Sequence, residues 1–306
     1  IKVEVKITRA DETAVAKYNE VAKANGAALV ISPISFEVVA KTTKADGSTG
    51  EVGINKFRNF VERVMEIPAG VDPGKITTGI VFNPDGTYSH VPTYVYQKDG
   101  KWYARINSLT NSTYTLIYNE AAFADAQGRW YEQIVSEMAS RKIINGKSET
   151  SFDGKASITR AEFAAILIRA LGLTDDGVSS FSDVRNRDWY YGSVGTGVEY
   201  SLVNGYLDGS FKPEAAITRL EAMIMVQRAA KIADYSGIAG NLAPFSDGRK
   251  IDAWAKSAAE FNVGSGLIVG NDGKLRPGDK ISRAETATVI LRLLQKAELV
   301  DVRTKI

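Results

Sequence analysis

The chain has 306 residues, of which 44% are hydrophobic, so it is long enough for two or more domains with real cores and too apolar for a disordered segment. Its 38 lysines and arginines against 36 acidic residues give a net charge of +2, which provides no global field for nucleic acid or an anionic membrane. It contains no cysteine, which excludes disulfides, thiolate nucleophiles and cysteine metal sites.

The first part of the chain, residues 1–119, is predicted to form a β-rich, sandwich-like domain. Period-two alternation marks strands at residues 1–7, 36–41 and 101–106. Asp-Gly turns separate strand candidates at 83–86 and 98–101. One helix is predicted over 14–24, because Val15, Tyr18, Val21 and Ala22 share a face.

The one histidine, His90, lies between strand-like stretches and is interpreted as an ordinary loop residue. A single imidazole offers little basis for a catalytic triad or a multi-histidine metal site. The longest apolar runs are far shorter than the ~20 residues of a membrane span, and the first residues lack the pattern of a signal peptide. We therefore expect no membrane insertion, metal or cofactor, and interpret the chain as an internal or C-terminal piece of a longer protein.

After residue 119 the sequence changes to alanine-rich helical segments, and it repeats itself three times. We place the repeats at 120–176, 177–240 and 241–306. Each opens with Phe-x-Asp: Phe123 and Asp125, Phe181 and Asp183, Phe245 and Asp247. A tryptophan follows each opening, and a glycine stands 16 residues after it: Trp130 and Gly146, Trp189 and Gly205, Trp254 and Gly270.

Each repeat closes with an apolar helix that begins at a predicted capping box. In this motif an N-cap hydroxyl and a carboxylate three residues later satisfy each other's backbone donors. The pairs are Thr159 and Glu162, Thr218 and Glu221, and Ser282 and Glu285. An arginine follows every cap: Arg160, Arg219 and Arg283.

These arginines need an explanation, because the helix dipole disfavours a cation at the first helical position by some tenths of a kcal/mol. An anionic ligand at the helix start would meet both backbone N–H donors and a bidentate guanidinium, an arrangement suited to a carboxylate or phosphate. An internal ion pair with a neighbouring repeat is the alternative. The sequence leaves both roles open.

Two further recurring residue types are candidate ligand contacts. Asp125, Asp183 and Asp247 either contact a ligand or cap the helix that carries the tryptophan, and the two roles can coexist. For Trp130, Trp189 and Trp254, recurrence at the same place favours core aromatics over sugar-stacking platforms. The Asp-Gly turns lack the acidic pattern of calcium loops.

Over about residues 120–298 the order and spacing of these motifs resemble the signature of the S-layer homology family. That resemblance implies a mostly α-helical, three-repeat pseudo-trimer with a central three-helix bundle. It also implies binding of secondary cell wall polysaccharide, commonly with pyruvate-ketal N-acetylmannosamine, in grooves between repeats. A pyruvate ketal carries a carboxylate. The first repeat departs by lacking Asp-Gly-x-Phe-x-Pro, the second by Leu220 in Thr-Arg-Leu-Glu, and the third by Leu275 and Ser282.

The resemblance predicts a non-catalytic anchor that holds an exported protein on the wall or S-layer of a Gram-positive-type bacterium, with the nine Asp, Trp and Arg residues above as polysaccharide contacts. Its partner is polysaccharide attached to peptidoglycan, and we expect a monomer. Residues 1–119 resemble the β-rich domain that often precedes such triplets, a spacer or a binding module. A glycosidase acting through two carboxylates and a protein adhesion module remain alternatives.

Overall fold

Two compact units make up the chain, Ile1–Glu120 and Ala121–Ile306. The computed structural model describes residues 1–43, 46–83 and 85–306. Strands dominate the first unit and helices the second, as the sequence predicts. In the described residues no helix is long and apolar enough to cross a membrane.

In its described residues the first unit contains one α-helix and two antiparallel sheets. Its elements are β1 (Lys2–Arg9), α1 (Glu12–Ala24), β2 (Ala28–Leu29), β3 (Ile34–Thr43), β4 (Thr49–Gly53), β5 (Lys56–Glu66), β6 (Thr78–Phe82), β7 (Tyr88–Val91), β8 (Thr93–Lys98), β9 (Lys101–Thr110) and β10 (Thr113–Tyr118). The larger sheet has the order β1-β3-β10-β6-β7, with β2 on β10 and β4 on β3. The smaller sheet has the order β5-β9-β8.

Alternation along the strands builds the core of this unit on both faces of the larger sheet. Tyr114 and Leu116 of β10 pack with Ile106 of the smaller sheet in one buried cluster. Ile117, the next residue along β10, instead packs with Ala22 of α1 on the opposite face. The helix therefore covers the face that the smaller sheet leaves free.

The local predictions for the first unit are mostly confirmed. The three strands and the helix form where the periodicity placed them. Asp99 and Gly100 link β8 to β9 with φ of 50° and 76°, the pair of positive values that a type I′ hairpin turn requires. The predicted turn at 83–86 includes position 84, which lies outside the described residues.

One sequence interpretation in this unit is wrong, and the burial of one strand departs from its alternating pattern. His90 is not a loop residue, because it lies in β7 and is buried, with Nδ1 2.7 Å from the Thr78 hydroxyl. The alternating β1 does not turn its apolar residues inward. Val3, Val5 and Ile7 lie on one side of a strand that pairs only with β3 among the described residues, and all three are exposed.

The second unit consists of three helix pairs joined by loops. Its helices are α2 (Glu132–Ser140), α3 (Arg160–Ala170), α4 (Tyr191–Glu199), α5 (Arg219–Ile232), α6 (Ala253–Gly264) and α7 (Arg283–Lys296). All three predicted capping boxes are confirmed, each with both reciprocal hydrogen bonds. The closing helices α3, α5 and α7 contact one another and form the predicted central bundle.

The first helix of each repeat packs against the closing helix of a neighbouring repeat. Helix α4 contacts α3, α6 contacts α5, and α2 at the start of the unit contacts α7 at its end. The three repeats are thus joined in a closed ring. Isolated β-bridges between the loops before α3, α5 and α7 follow the same cyclic order.

Candidate functional site

The arginine at the start of each closing helix reaches into the next repeat. Arg160 donates from Nε to the Phe211 carbonyl at 2.9 Å and from Nη1 to the Glu221 carboxylate at 3.0 Å. Its guanidinium also lies 4.8 Å from the ring centres of Tyr206 and Phe211. Arg160 is 6% exposed, so it is an internal cation with its partners supplied by the second repeat.

Arg219 and Arg283 repeat this contact around the ring. Arg219 pairs with Glu285 of the third repeat at 2.6 Å and donates to the Leu275 carbonyl at 3.0 Å. Arg283 donates to the Phe152 carbonyl of the first repeat at 2.9 Å and lies 3.8 Å from Glu162. The internal ion pair, one of the two roles that the sequence left open, is therefore present in every repeat.

The backbone donors at the helix starts also have partners in the next repeat. The N–H groups of Arg160 and Ala161 donate to the carbonyls of Ala215 and Pro213 at 3.0 Å each. The equivalent groups of α5 and α7 donate to Asp279 and Pro277, and to Ala156 and Gly154. An anion at the helix start, as the sequence suggested, would have to displace these carbonyls.

The recurring aspartates hold the loop that receives the arginine. Asp125 accepts from the backbone N–H of Phe152 at 2.8 Å and of Asp153 at 2.7 Å. Asp183 and Asp247 make the same pair of bonds to Phe211 and Lys212, and to Leu275 and Arg276. The alternative role, capping the helix that carries the tryptophan, is wrong, because those helices begin without a side-chain cap.

In Asp125 these bonds stabilise the ionised carboxylate. In Asp125 the N–H of Phe152 is the largest influence, and it holds the pKa below its usual value against the opposing effect of burial. The second N–H of each pair belongs to a left-handed residue, Asp153, Lys212 or Arg276, with φ of 54–56°. The aspartate therefore fixes a strained turn whose carbonyl points at the neighbouring arginine.

The first repeat keeps this loop although it lacks the Pro-bearing turn. Phe152 occupies the buried position of Phe211 and Leu275. Gly154 supplies the carbonyl that Pro213 and Pro277 supply elsewhere. A Cβ at Gly154 would stand 2.5 Å from the Tyr131 ring, which explains why a glycine fits there.

The three tryptophans lie on the surface. Trp130, Trp189 and Trp254 are 65%, 64% and 70% exposed, so the core interpretation of these residues is wrong. Indole rings this exposed, at the same place in every repeat, are not explained by packing. They offer flat apolar faces to a ligand.

Two of the tryptophans border clefts that also contain an arginine of the helix-start set. One cleft, of about 390 Å³, is lined by Trp130 of the first repeat, Arg219 of the second and residues 268–292 of the third. We call it the Trp130 cleft. The other, of about 260 Å³, is lined by Trp254 of the third repeat, Arg160 of the first and residues 204–228 of the second, and we call it the Trp254 cleft. Each cleft thus needs all three repeats.

The Trp254 cleft contains a coupled acid and phenol. Burial opposes ionisation of Glu221, but hydrogen bonds from Tyr206 and Thr218 and the charge of Arg160 together hold its pKa below the usual value. Burial, together with the bond to Glu221, raises the pKa of Tyr206 to about 12. Tyr206 is therefore a neutral donor at neutral pH.

Sequence reasoning missed a second arginine in each closing helix. Arg169, Arg228 and Arg292 each follow the helix-start arginine by nine residues. Arg228 lines the Trp254 cleft and Arg292 the Trp130 cleft. Their identical offset was the available signal, but it is hidden among the apolar positions of the same helices.

The comparison with protein families identifies the second unit. The model of the S-layer homology domain matches three segments, residues 122–164, 180–223 and 244–287. Residues 122–287 are therefore three S-layer homology domains. Such domains are binding modules of cell-surface proteins, which assigns this part of the chain to anchoring at the cell surface.

Similar proteins include both enzymes and surface-layer proteins. The chain is 28% identical to an amylopullulanase of Thermoanaerobacterium thermosulfurigenes over 280 residues, 90% of this chain and 15% of the relative. It is 28% identical to exoglucanase XynX of Acetivibrio thermocellus over 193 residues, 62% of this chain and 18% of the relative. It is 31% identical to the surface-layer 125 kDa protein of Lysinibacillus sphaericus over 186 residues, 56% of this chain and 16% of the relative. The chain thus spans less than a fifth of these relatives.

Proposed function

We propose that this chain holds an exported protein on a bacterial cell wall by binding secondary cell wall polysaccharide, which is itself attached to peptidoglycan. The polysaccharide binds in the clefts between repeats, and its preferred form carries a pyruvate ketal on N-acetylmannosamine. The anchor acts without catalysis, on the outside of a Gram-positive-type bacterium. Residues 1–119 serve as a spacer between the anchor and the exported cargo.

The exposed tryptophans beside arginine-lined clefts carry this proposal. A pyranose ring presents an apolar C–H face that packs on an indole ring, while its hydroxyl and carboxylate groups need polar partners close by. Trp130 and Arg219 line one cleft and Trp254 and Arg160 line the other, so both kinds of partner are present. In this proposal Trp189 and Arg283 are the corresponding residues of a third groove, and we expect the three grooves to differ in affinity.

The three types of candidate residue have different roles in this proposal. The tryptophans contact the sugar. Arg160, Arg219 and Arg283 are held by carboxylates of the next repeat, so they join the walls of the groove that the ligand enters. Asp125, Asp183 and Asp247 act one step further away, because their bonds to backbone N–H groups fix the shape of the groove wall.

The same clefts are too poor in unpaired carboxylates to favour glycosidase chemistry. The acidic side chains that line them are Glu221 in one and Asp279 and Glu285 in the other. Glu221 and Glu285 are both ion-paired with arginine and both occupied in capping boxes. A general acid with a raised pKa is what such an enzyme requires, and the pKa of Glu221 is lowered.

Retention on purified peptidoglycan sacculi tests the proposed function. The chain is mixed with sacculi before and after chemical removal of the attached polysaccharide, and the pelleted fraction is measured. We expect retention on the intact sacculi and its loss after removal. Equal retention on both would point to a different partner, and release of reducing sugar from the intact sacculi would point to a glycosidase.

A further inference from the structure

The two clefts differ at the second arginine of the closing helix. In the Trp254 cleft the amide oxygen of Asn204, in the orientation that satisfies both of its neighbours, accepts from Arg228 Nη2 at 2.9 Å. In the first repeat Asn145 holds Arg169 Nη1 at 3.1 Å in the same way. The third repeat has Val269 at this position, and a valine side chain cannot accept a hydrogen bond.

Arg292 is consequently the least restrained of these arginines. Its Nη1 donates to the Leu267 carbonyl at 3.1 Å. In the described residues no carboxylate lies within ion-pair distance of it. Arg219, which lines the same cleft, has already committed Nη1 to Glu285 and Nε to Leu275.

The surroundings of Arg292 favour an anion. The Trp130 cleft is lined by five basic and two acidic side chains, whereas the Trp254 cleft is lined by two basic and one acidic. Burial lowers the pKa of Arg292, and it lowers the pKa of Arg228 in the same direction, so the two clefts differ in the Asn204 contact and in the surrounding charge rather than in burial. Arg292 also borders an adjoining cleft that it shares with Lys296 and Lys305.

We propose that Arg292 is the anion-recognising residue of the Trp130 cleft and that it binds the carboxylate of a wall sugar stacked on Trp130. This inference rests on the proposed function, and it assigns carboxylate selectivity to one groove and one residue. A free guanidinium edge donates two parallel hydrogen bonds to the oxygens of a carboxylate. In Arg228 part of this edge already donates a hydrogen bond to the Asn204 amide oxygen.

Calorimetric titration of the full chain tests this proposal. The two ligands are a purified wall oligosaccharide that bears the ketal carboxylate and the same oligosaccharide after mild-acid removal of the ketal. We expect the native chain to prefer the carboxylated form by about ten-fold or more, the range of a charge-assisted contact. Arg292→Gln should abolish the preference, and the control Arg58→Gln, at an exposed position of β5 in the first unit, should keep it.

A second variant tests the role of position 269 without removing any charge. Val269 is 58% exposed, so Val269→Asn is expected to fold normally and to supply Arg292 with the amide acceptor that the other repeats have. The preference for the carboxylated form should fall in this variant. Its persistence in either Arg292→Gln or Val269→Asn would overturn the inference.

The outcomes separate the inference from the proposed function. If the native chain binds both oligosaccharides equally, the anion site is wrong and wall binding stands. If the native chain binds neither, both proposals fail. Thermal melting of each variant shows whether a change in binding comes from the cleft or from unfolding.

Discussion

At the scale of single residues, the recurring arginine acts as a joint between repeats. Its side chain donates a hydrogen bond to a carbonyl of the next repeat and forms an ion pair with a carboxylate of that repeat. In two of the three cases the guanidinium also lies over an aromatic ring of the next repeat. In the third repeat Leu275 and Asn271 stand where the second has Phe211 and Tyr206, and Arg219 stacks on neither. The joints are therefore unequal in strength.

Removal of the most enclosed joint should destabilise the protein. Arg160→Ala leaves the half-buried Glu221 without its cation, and breaking a buried pair from one side typically costs about 3–5 kcal/mol. Urea unfolding measures the loss. The exposed Arg187→Ala removes the same charge from the surface and should change the free energy of unfolding by less than about 0.5 kcal/mol. A similar small change in Arg160→Ala would show that the joint is dispensable.

The carboxylate of the same joint predicts a pH dependence. The pKa of Glu221 is lower in the folded protein than its ordinary value of 4.5, so its contribution to stability is present above that pH and is lost as pH falls through the folded pKa. The stability difference between the native chain and Glu221→Gln should thus shrink on acidification. Unfolding measured between pH 7 and pH 3 tests this, with the exposed Glu199→Gln as control. A constant difference would contradict it.

At the scale of elements, a close approach in each repeat explains the spacing between tryptophan and glycine. Gly146, Gly205 and Gly270 lie against the ring of the opening phenylalanine, Phe123, Phe181 or Phe245. A side chain at these positions would overlap the ring. The sixteen-residue spacing thus marks where the helix and the following loop return to the start of the repeat.

Alanine in place of one of these glycines should cost stability. The Cβ of Gly205→Ala would overlap the Phe181 ring and press on the Ser210 carbonyl at 2.7 Å. Overpacking of a tight site costs about 1–3 kcal/mol. Gly278→Ala is the matched control, because nothing lies within 4 Å of its Cβ position and its φ is ordinary. Equal thermal midpoints for the two variants would contradict the close-packing explanation.

At the scale of the whole molecule, the helical unit is a closed ring and not a row of independent repeats. Helix α2 opens the unit and packs on α7 near its end, and Arg283 returns to Phe152 of the first repeat. A single repeat lacks the partner of its first helix and the receiver of its arginine. Such a fragment has too little core for independent stability.

Removal of one repeat should therefore destabilise the two repeats that remain. Deletion of 241–306 takes away α7, the packing partner of α2, and Glu285, the partner of Arg219. We expect the remaining helices to lose their cooperative unfolding transition in urea. Far-ultraviolet circular dichroism measures this transition. Deletion of 1–120 leaves the ring complete and should preserve the transition. An unchanged helical transition after deletion of 241–306 would show that the repeats fold independently.

The sequence predicted features that are encoded locally and missed those that depend on distant partners. Capping boxes, helix α1 and the Asp99-Gly100 turn follow from neighbouring residues, and all are confirmed. The donors to Asp125 lie at residues 152 and 153, and the carboxylate partner of Arg160 lies at 221, so no periodicity reveals them. Recurrence of the tryptophans does not distinguish a core position from a surface site, because both kinds of position recur with the same spacing in a repeat. The core interpretation of the tryptophans is wrong for this reason.

The place where the glycan binds can be tested directly by measuring the glycan affinity of tryptophan variants. The chain has four tryptophans, three in the repeats and Trp102 in β9 of the first unit, where it is 37% exposed. Titration calorimetry with purified wall polysaccharide compares the triple variant Trp130→Ala, Trp189→Ala, Trp254→Ala with Trp102→Ala. We expect at least about ten-fold weaker binding in the triple variant and native affinity in Trp102→Ala. Native affinity in a correctly folded triple variant would contradict glycan binding at these tryptophans.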